Sequence, residues 1–309
     1  MSPESPHGRR WLLTGFALSA TGAMLFAGKS ILVKLVYVHH VDSTTLVTLR
    51  MALAMPIFVA VGWRDWRSRP AELRPDRQTI GLAMLVGILG YYVSSWLDFE
   101  GLETVGAQQE RLILFTYPFL VILFGRVLLR HPLRPHALAG AGLSYLGLIV
   151  MFGLEPVRLT PPVLTGSALI MASAGTFALY QLFAREMIVR CGAALFTAIA
   201  MTAAGFAIFA HFLATHELSA LAVPAAAWPW ILILALLATV AASFAMSAGT
   251  ARIGAQGTAI ISTLSPAVTI ILAVAILGEP FGAPEAIGTV CVLGGVALFS
   301  LIEARARVR

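Results

Sequence analysis

An acid and a base stand side by side in a run that is otherwise apolar. Glu110 and Arg111 interrupt the stretch DFEGLETVGAQQERLILFTYPFLVILFGRVLLRHP, residues 98–132. Glu110 could carry a proton or meet a cation, and Arg111 could meet a carboxylate. Ionisable groups inside a long apolar segment are costly, and they persist where they bind, relay protons or pair structurally. Both uses, a substrate or proton pathway and a structural ion pair, stay open here. Neighbouring helix positions point about 100° apart, so each side chain needs some other partner, or water. Four more charges lie in or at the ends of apolar runs, Lys29, Lys34, Arg50 and Asp98, all in the N-terminal half. The set holds four bases against two acids. Such an excess favours a cavity with water or ligand, and a substrate with an anionic group such as a carboxylate. Glu110 is the leading candidate for proton coupling.

Uncharged polar residues join these. Tyr117 lies seven positions after Glu110, on the same helix face. Tyr92, with Tyr91 and Trp96, and Tyr180, with Gln181, would line an aromatic, hydrogen-bonding pocket or simply pack. Gln108 and Gln256 occupy equivalent places in two similar segments, so they either bridge those segments or bind ligand. Pro118 and Pro266 fall inside apolar runs, as paired hinges or as static bends. His39, His40 and Asp42 sit in a short loop and read as solvated rather than metal-binding. No phosphate-binding glycine loop, zinc-helix signature or nucleophile elbow occurs. The reading therefore calls for no cofactor, no metal and no ATP-driven step.

The elements that must hold these residues are membrane-spanning helices. Of 309 residues, 59% are hydrophobic and only 12% charged, against roughly 25% charged in a soluble domain. The mean hydropathy is +0.86. Runs free of Asp, Glu, Lys and Arg include 78–97, 135–154, 191–215 and 218–251, and most reach the ~20 residues a helix needs to cross a bilayer. Barrel-type alternation is absent from the sequence. The expected class is an all-α integral membrane protein. Ten spans are expected, near 11–36, 43–63, 78–97, 104–127, 136–153, 162–184, 193–213, 228–248, 255–277 and 283–302. Residues 1–10 resemble the start of a signal peptide, yet the next run is needed as the first span. Cys191 and Cys291 are too few for a disulfide framework.

With both termini cytoplasmic, sixteen basic residues fall on the inner side and only Arg158 on the outer side. That bias places the chain in the cell inner membrane and explains the net charge of +6 without nucleic acid.

The chain also repeats itself. Residues 101–152 align without gaps on 249–300, at an offset of 148, with eleven identities. Gly106-Ala107-Gln108, Pro118, Pro132 and Gly147 match Gly254-Ala255-Gln256, Pro266, Pro280 and Gly295. Upstream, Phe26, Ala27, Ala52 and Phe58 match Phe177, Ala178, Ala203 and Phe209 at an offset of 151. Glu110 and Arg111 become Thr258 and Ala259, so only one copy is charged. The expected units are a tail (1–10), a first five-helix repeat (11–153), a linker (154–161), a second repeat (162–302) and a basic tail (303–309). Five spans per repeat make the copies inverted, an arrangement common in secondary transporters.

The second copy reads GAQGTAIISTLSPAVTIILAVAILGEPFGAPEAIGTVCVLGGVALF. Its Ala-rich helix start, Pro266, the Gly278-Glu279-Pro280 turn and the glycine-spaced last helix resemble the EamA domain of the drug/metabolite transporter superfamily. Both halves resemble it, over about 12–302. The first half departs at Arg130-His131-Pro132, where Gly-Glu-Pro is typical. The resemblance implies ten helices in two inverted repeats and export or exchange of small metabolites, with no substrate fixed. The expected function is a secondary transporter working by alternating access. The alternatives are a flippase or exchanger of a lipid- or nucleotide-linked substrate, an intramembrane enzyme using Glu110, Asp98 and Arg111, and a channel. Expected partners are a small-molecule substrate and the bilayer.

Overall fold

Two aspartates show how the chain starts its helices. Asp42 accepts a hydrogen bond from the backbone N–H of Thr45 (2.9 Å), and Asp76 accepts one from that of Thr79 (3.1 Å). Each satisfies an orphan donor of a helix beginning at the next residue. The computed structural model describes residues 6–130, 135–153, 160–246, 248–249, 252–253 and 265–308. Gln256, the first ten residues of the ninth expected span (255–264) and most of the 154–161 linker lie outside the described residues.

The helices in order are α1 (Pro6–Ala27), α2 (Lys29–Tyr37), α3 (Ser43–Ser68), α4 (Arg77–Gly87), α5 (Ser94–Leu102), α6 (Ala107–Leu114) and α7 (Tyr117–Leu129). Then come α8 (Pro135–Gly153), α9 (Pro161–Cys191), α10 (Ala193–Thr215), α11 (Trp228–Ala235), α12 (Ser265–Leu277) and α13 (Ala283–Val308). Among the described residues there is no strand. Seven stretches are long and apolar enough to cross a membrane, from Leu13–Tyr37 to Ala225–Met246. Apolar side chains such as Leu85, Val189 and Val290 point outward, which in a bilayer meets lipid rather than water.

Four of the described spans are interrupted, and the interruptions matter for the site. The first breaks at Gly28, between α1 and α2. The third carries a six-residue π-helical stretch, Ile88–Val93, between α4 and α5. An equivalent stretch, Leu236–Ala241, follows α11, and the two lie 148 residues apart, the offset of the sequence repeat. The fourth divides at Phe115–Thr116, between α6 and α7. Pro118 thus stands in the first turn of α7, where a missing N–H costs nothing. It does not lie inside an unbroken helix, as the sequence suggests. Pro266 is the second described residue of α12, and residues 254–264 before it lie outside the described residues. The third span runs on to Leu102, so Asp98 lies within it instead of closing it at residue 97.

Packing follows small residues. A Cβ on Gly147 would lie 2.6 Å from the Cβ of Cys291, and one on Gly295 would lie 2.3 Å from Ser144 Oγ. Glycine at these matched positions lets α8 and α13 touch backbone to backbone. Ser94 and Ser173 hydroxyls, 3.0 Å apart, tie α5 to α9. The largest core cluster joins α2, α3, α10 and α11 around Leu46, Phe58, Ile208 and Ile231. The contacts have a pattern. α3 packs on α10 and α8 on α13, while α4–α9 has its counterpart in α11–α2 and α7–α9 in α12–α1.

Candidate functional site

The break at Gly28 leaves the last carbonyls of α1 in need of donors. Arg111 Nη2 donates to Phe26 O (3.1 Å) and Thr269 Oγ1 to Ala27 O (2.8 Å). One donor comes from α6 in the first half and the other from α12 in the second. Just past the break, α2 opens with Lys29 and Ser30, which face α5 and α6.

Here the charges meet. Lys29 Nζ forms a short ion pair with Asp98 Oδ2 and lies 3.4 Å from Glu110 Oε1. Ser30 Oγ donates to Glu110 Oε2 (2.6 Å) and accepts from Arg111 Nη2 (3.2 Å). Arg111 Nε lies 3.9 Å from Glu110 Oε2, a loose contact. Glu110 is fully buried, and the Asp98 and Arg111 side chains are 3% and 8% exposed. Lys29, at 16%, reaches furthest toward solvent. Two buried carboxylates therefore share one ammonium, and a serine and an arginine hold the second carboxylate from the other side. Asp98 Oδ1 and Arg111 Nε are buried with no hydrogen-bond partner.

Arg50 enters from α3. Its guanidinium carbon stands 4.7 Å from the centroid of the Phe99 ring, and Lys29 Nζ stands 5.7 Å from that centroid. One aromatic ring thus serves two cations. Sequence brings Lys29, Arg50, Asp98, Glu110 and Arg111 together on the basis of charge alone, and these five do gather.

The other candidates lie elsewhere. Gln108 Nε2 donates to Pro280 O (3.1 Å), linking α6 to the turn between α12 and α13. In the same turn, the Glu279 carboxylate accepts from the backbone N–H groups of Ala107 (2.6 Å) and Gln108 (3.1 Å). Glu279 therefore caps, from the opposite half, the helix that carries Glu110. Tyr117 and Tyr180 belong to an aromatic array. Tyr117 meets Phe177 edge to face at 5.0 Å, Phe177 stacks on Tyr180 at 5.5 Å, and the Tyr180 and Tyr91 hydroxyls lie 2.9 Å apart. Tyr92 points to a third place, where it and Trp96 flank the ring of His211 at 5.8 and 5.1 Å. Lys29 and Tyr180 stand 151 residues apart, the offset of the first spans of the repeats. One copy sets an ammonium where the other sets a phenol.

Sequence reasoning missed Ser30, Phe99, His211 and Glu279. Ser30 is adjacent to a buried lysine, and Glu279 is the acid of the Gly278-Glu279-Pro280 turn, so both carried a signal of a kind. Nothing in the residues around His211 separates it from a core histidine. Among the described residues, no group of three His, Cys, Asp or Glu side chains could hold a metal ion. Asp42, beyond its capping bond, lies 3.3 Å from His216 Nε2.

Comparison with known proteins matches this architecture. The uncharacterized transporter YcbK of Bacillus subtilis (strain 168) is 29% identical over 93% of this chain and 93% of its own. The uncharacterized transporter YetK of the same organism is 26% identical over 91% of this chain and 86% of its own. A solved crystal structure, 19% identical, superposes with a TM-score of 0.65 over 94% of this chain and 98% of that one, which is a likeness of fold. The EamA-like transporter family matches twice, over residues 13–153 and again over 164–301. A polytopic helical protein that carries this domain in both halves is a membrane transporter, and the chain belongs to the EamA-like transporter family.

Proposed function

We propose that this protein is a secondary transporter that moves a small metabolite across the inner membrane by alternating access, as an exporter or exchanger. The observation that carries the reading is the buried Lys29–Asp98–Glu110–Arg111 cluster at a broken helix, secured by groups from both halves. Broken helices at a repeat interface are where secondary transporters hold substrate and coupling ions. Ten spans in two inverted repeats are part of the reading. The paired π-helical stretches and the exchange-symmetric helix contacts support it. Both termini are cytoplasmic on this reading, in keeping with the Lys and Arg bias. The cluster binds a coupling proton and, with its positive excess, favours an anionic substrate.

A flippase of a lipid-linked substrate is the second reading. It is favoured by an apolar groove of about 280 Å³ between Met24–Leu35, Trp230–Ala238 and α12. The groove holds none of the charged cluster, so the first reading is preferred.

Counterflow tests the proposal. Proteoliposomes of the full chain are preloaded with one unlabelled metabolite at a time and given the labelled compound outside. Exchange-accelerated uptake is expected, and Glu110→Gln, which removes a charge from the cluster, should shift its pH dependence. Chemical conversion of substrate without flux would make the protein an enzyme. Flux that does not accelerate on exchange would make it a channel.

A further inference from the structure

Arg50 is the charge that the fold leaves unmatched. It is 6% exposed, its Nε has no hydrogen-bond partner, and no described carboxylate forms an ion pair with it. Its platform is the face of Phe99, which leaves the guanidinium edge free. Removing a guanidinium from water costs several kcal/mol unless a counter-charge meets it. Two acids adjoin that ring in sequence, Asp98 and Glu100, and Glu100 is bonded to Ser43, which leaves Asp98. One of its oxygens is taken by Lys29, and the other, Oδ1, is buried and unpartnered. Counting the gathered charges, Lys29, Arg50 and Arg111 face Asp98 and Glu110, an excess of one positive charge. A negative charge beside Arg50 would reduce that excess, and more so once a proton on Asp98 has raised it to two. A carboxylate suits it, because the guanidinium edge presents paired N–H donors.

We propose that Arg50 is the docking residue for the carboxylate of a small monoanionic substrate, and that a proton on Asp98 is transported with it. This rests on the transporter reading above and names its substrate class and coupling sign. The groups facing Asp98 decide where the proton goes. They are Lys29 and Tyr37 on α2, Arg50 on α3 and Glu110 on α6, with Arg111 behind Glu110, while Tyr91 and Tyr180 are bonded to each other and Tyr92 lies against His211. Beyond Asp98 on the same helix come Glu100, with Glu103 just past its end, both held at Ser43. Tyr37 donates to Phe99 O and Tyr180 bonds Tyr91, so neither competes. Both Glu110 oxygens are already engaged, Oε2 by Ser30 and loosely by Arg111, and Oε1 by Lys29. Asp98 has the free oxygen. A proton there removes a negative charge near Arg50, which strengthens the hold on an incoming anion. Linkage is reciprocal, so the bound anion strengthens the hold on the proton. The two therefore move in the same direction.

The test uses the purified full chain and a panel of small monocarboxylates, acetate to phenylacetate, each against its primary amide. At least one acid should raise the thermal stability of the protein, and its amide should not. Its Kd should fall between about pH 8 and about pH 6, by at most about tenfold per pH unit for one linked proton. Asp98→Asn, a fixed neutral form, should bind the acid with the low-pH affinity at every pH. Arg50→Gln should weaken binding at least about tenfold, the loss expected for a charged hydrogen bond. Amides binding as well as acids, affinity rising with pH, or Arg50→Gln at wild-type affinity would each overturn the proposal. Should Arg50→Gln not fold, the wild-type acid–amide comparison and Asp98→Asn still decide it. Counterflow of a neutral metabolite with no acid binding would sink this inference and leave the transporter reading standing.

Discussion

The carboxylate of Glu279 accepts the backbone N–H of Gln108 at 3.1 Å, across the boundary between the two halves of the chain. Its other oxygen takes the N–H of Ala107 at 2.6 Å, and Gln108 answers with a side-chain bond to Pro280 O. The first turn of α6, which contains Glu110, is thus completed by the second half. Removing a capping side chain costs about 0.5–2 kcal/mol, and losing a negative charge at a helix N-terminus about 0.3–1 kcal/mol more. Glu279→Ala is expected to lower stability by ~1–2 kcal/mol, read as thermal unfolding in detergent. Glu279→Gln, which keeps an acceptor, should lose less. Equal stability of all three proteins would show that the cap carries no weight.

Ser30 is the smallest member of the charged cluster and the one bonded to both Glu110 and Arg111. Ser30→Ala leaves a buried carboxylate short of a donor, a loss of about 1.5–3 kcal/mol for a hydrogen bond to a charge. The expected signature is lower thermal stability together with altered pH dependence of transport. Ser30→Thr, which keeps the hydroxyl, should restore much of both. A wild-type pH profile in Ser30→Ala would remove the hydroxyl from the coupling site.

Gly90 sits in the π-helical stretch against Tyr180. A Cβ there would fall 2.3 Å from the Cγ of that ring. The ring is itself pinned by its hydroxyl bond to Tyr91 and by Phe177 and Phe196. It cannot swing away cheaply, so Gly90→Ala should cost about 1–3 kcal/mol as overpacking. Pairing it with Tyr180→Ala should cancel the clash. A double-mutant cycle with no coupling would contradict the packing described.

Asp76 lies at the start of α4, outside the spans. Hydrogen bonds from Thr79 hold its carboxyl below the usual carboxylate range. A lowered folded-state pKa means that the cap stabilises the protein above the unfolded value of about 4. The contribution is lost as pH falls through the lower folded value. Asp76→Ala should therefore unfold more readily than wild type at neutral pH, with the gap closing in acid. A gap that persists unchanged at low pH would mean that the carboxylate is not the cause.

The charged part of the site was legible because charge is rare in this chain. Lys29, Arg50, Asp98, Glu110 and Arg111 are conspicuous against apolar neighbours, and any fold that buries them must bring them together or pay solvation energy. Ser30 was not legible, since a serine in an apolar helix usually bonds its own backbone. The same holds for the cap by Glu279, because a turn residue does not announce which distant helix it will meet. Pro118 misled for a related reason. A proline within an apolar run reads as an internal kink, but the break at Phe115–Thr116 makes it a helix opener. Tyr117 and Tyr180 were grouped with the charges by residue type. Ring stacking drew them instead to Phe177 and Tyr91, away from Lys29.

The π-helical stretch at Ile88–Val93 has a geometric consequence downstream. A π-bulge amounts to one residue inserted into an α-helix, and one residue corresponds to about 100° of helix rotation. Everything after Val93 is therefore turned by that angle relative to an uninterrupted helix of the same sequence. Asp98 points at Lys29, and Phe99 at Arg50, because of a register offset set one turn earlier. The bulge acts as an angular spacer for the acid that completes the cluster. Deleting a residue there would leave the composition of the span almost unchanged and aim its carboxylate at the wrong neighbour.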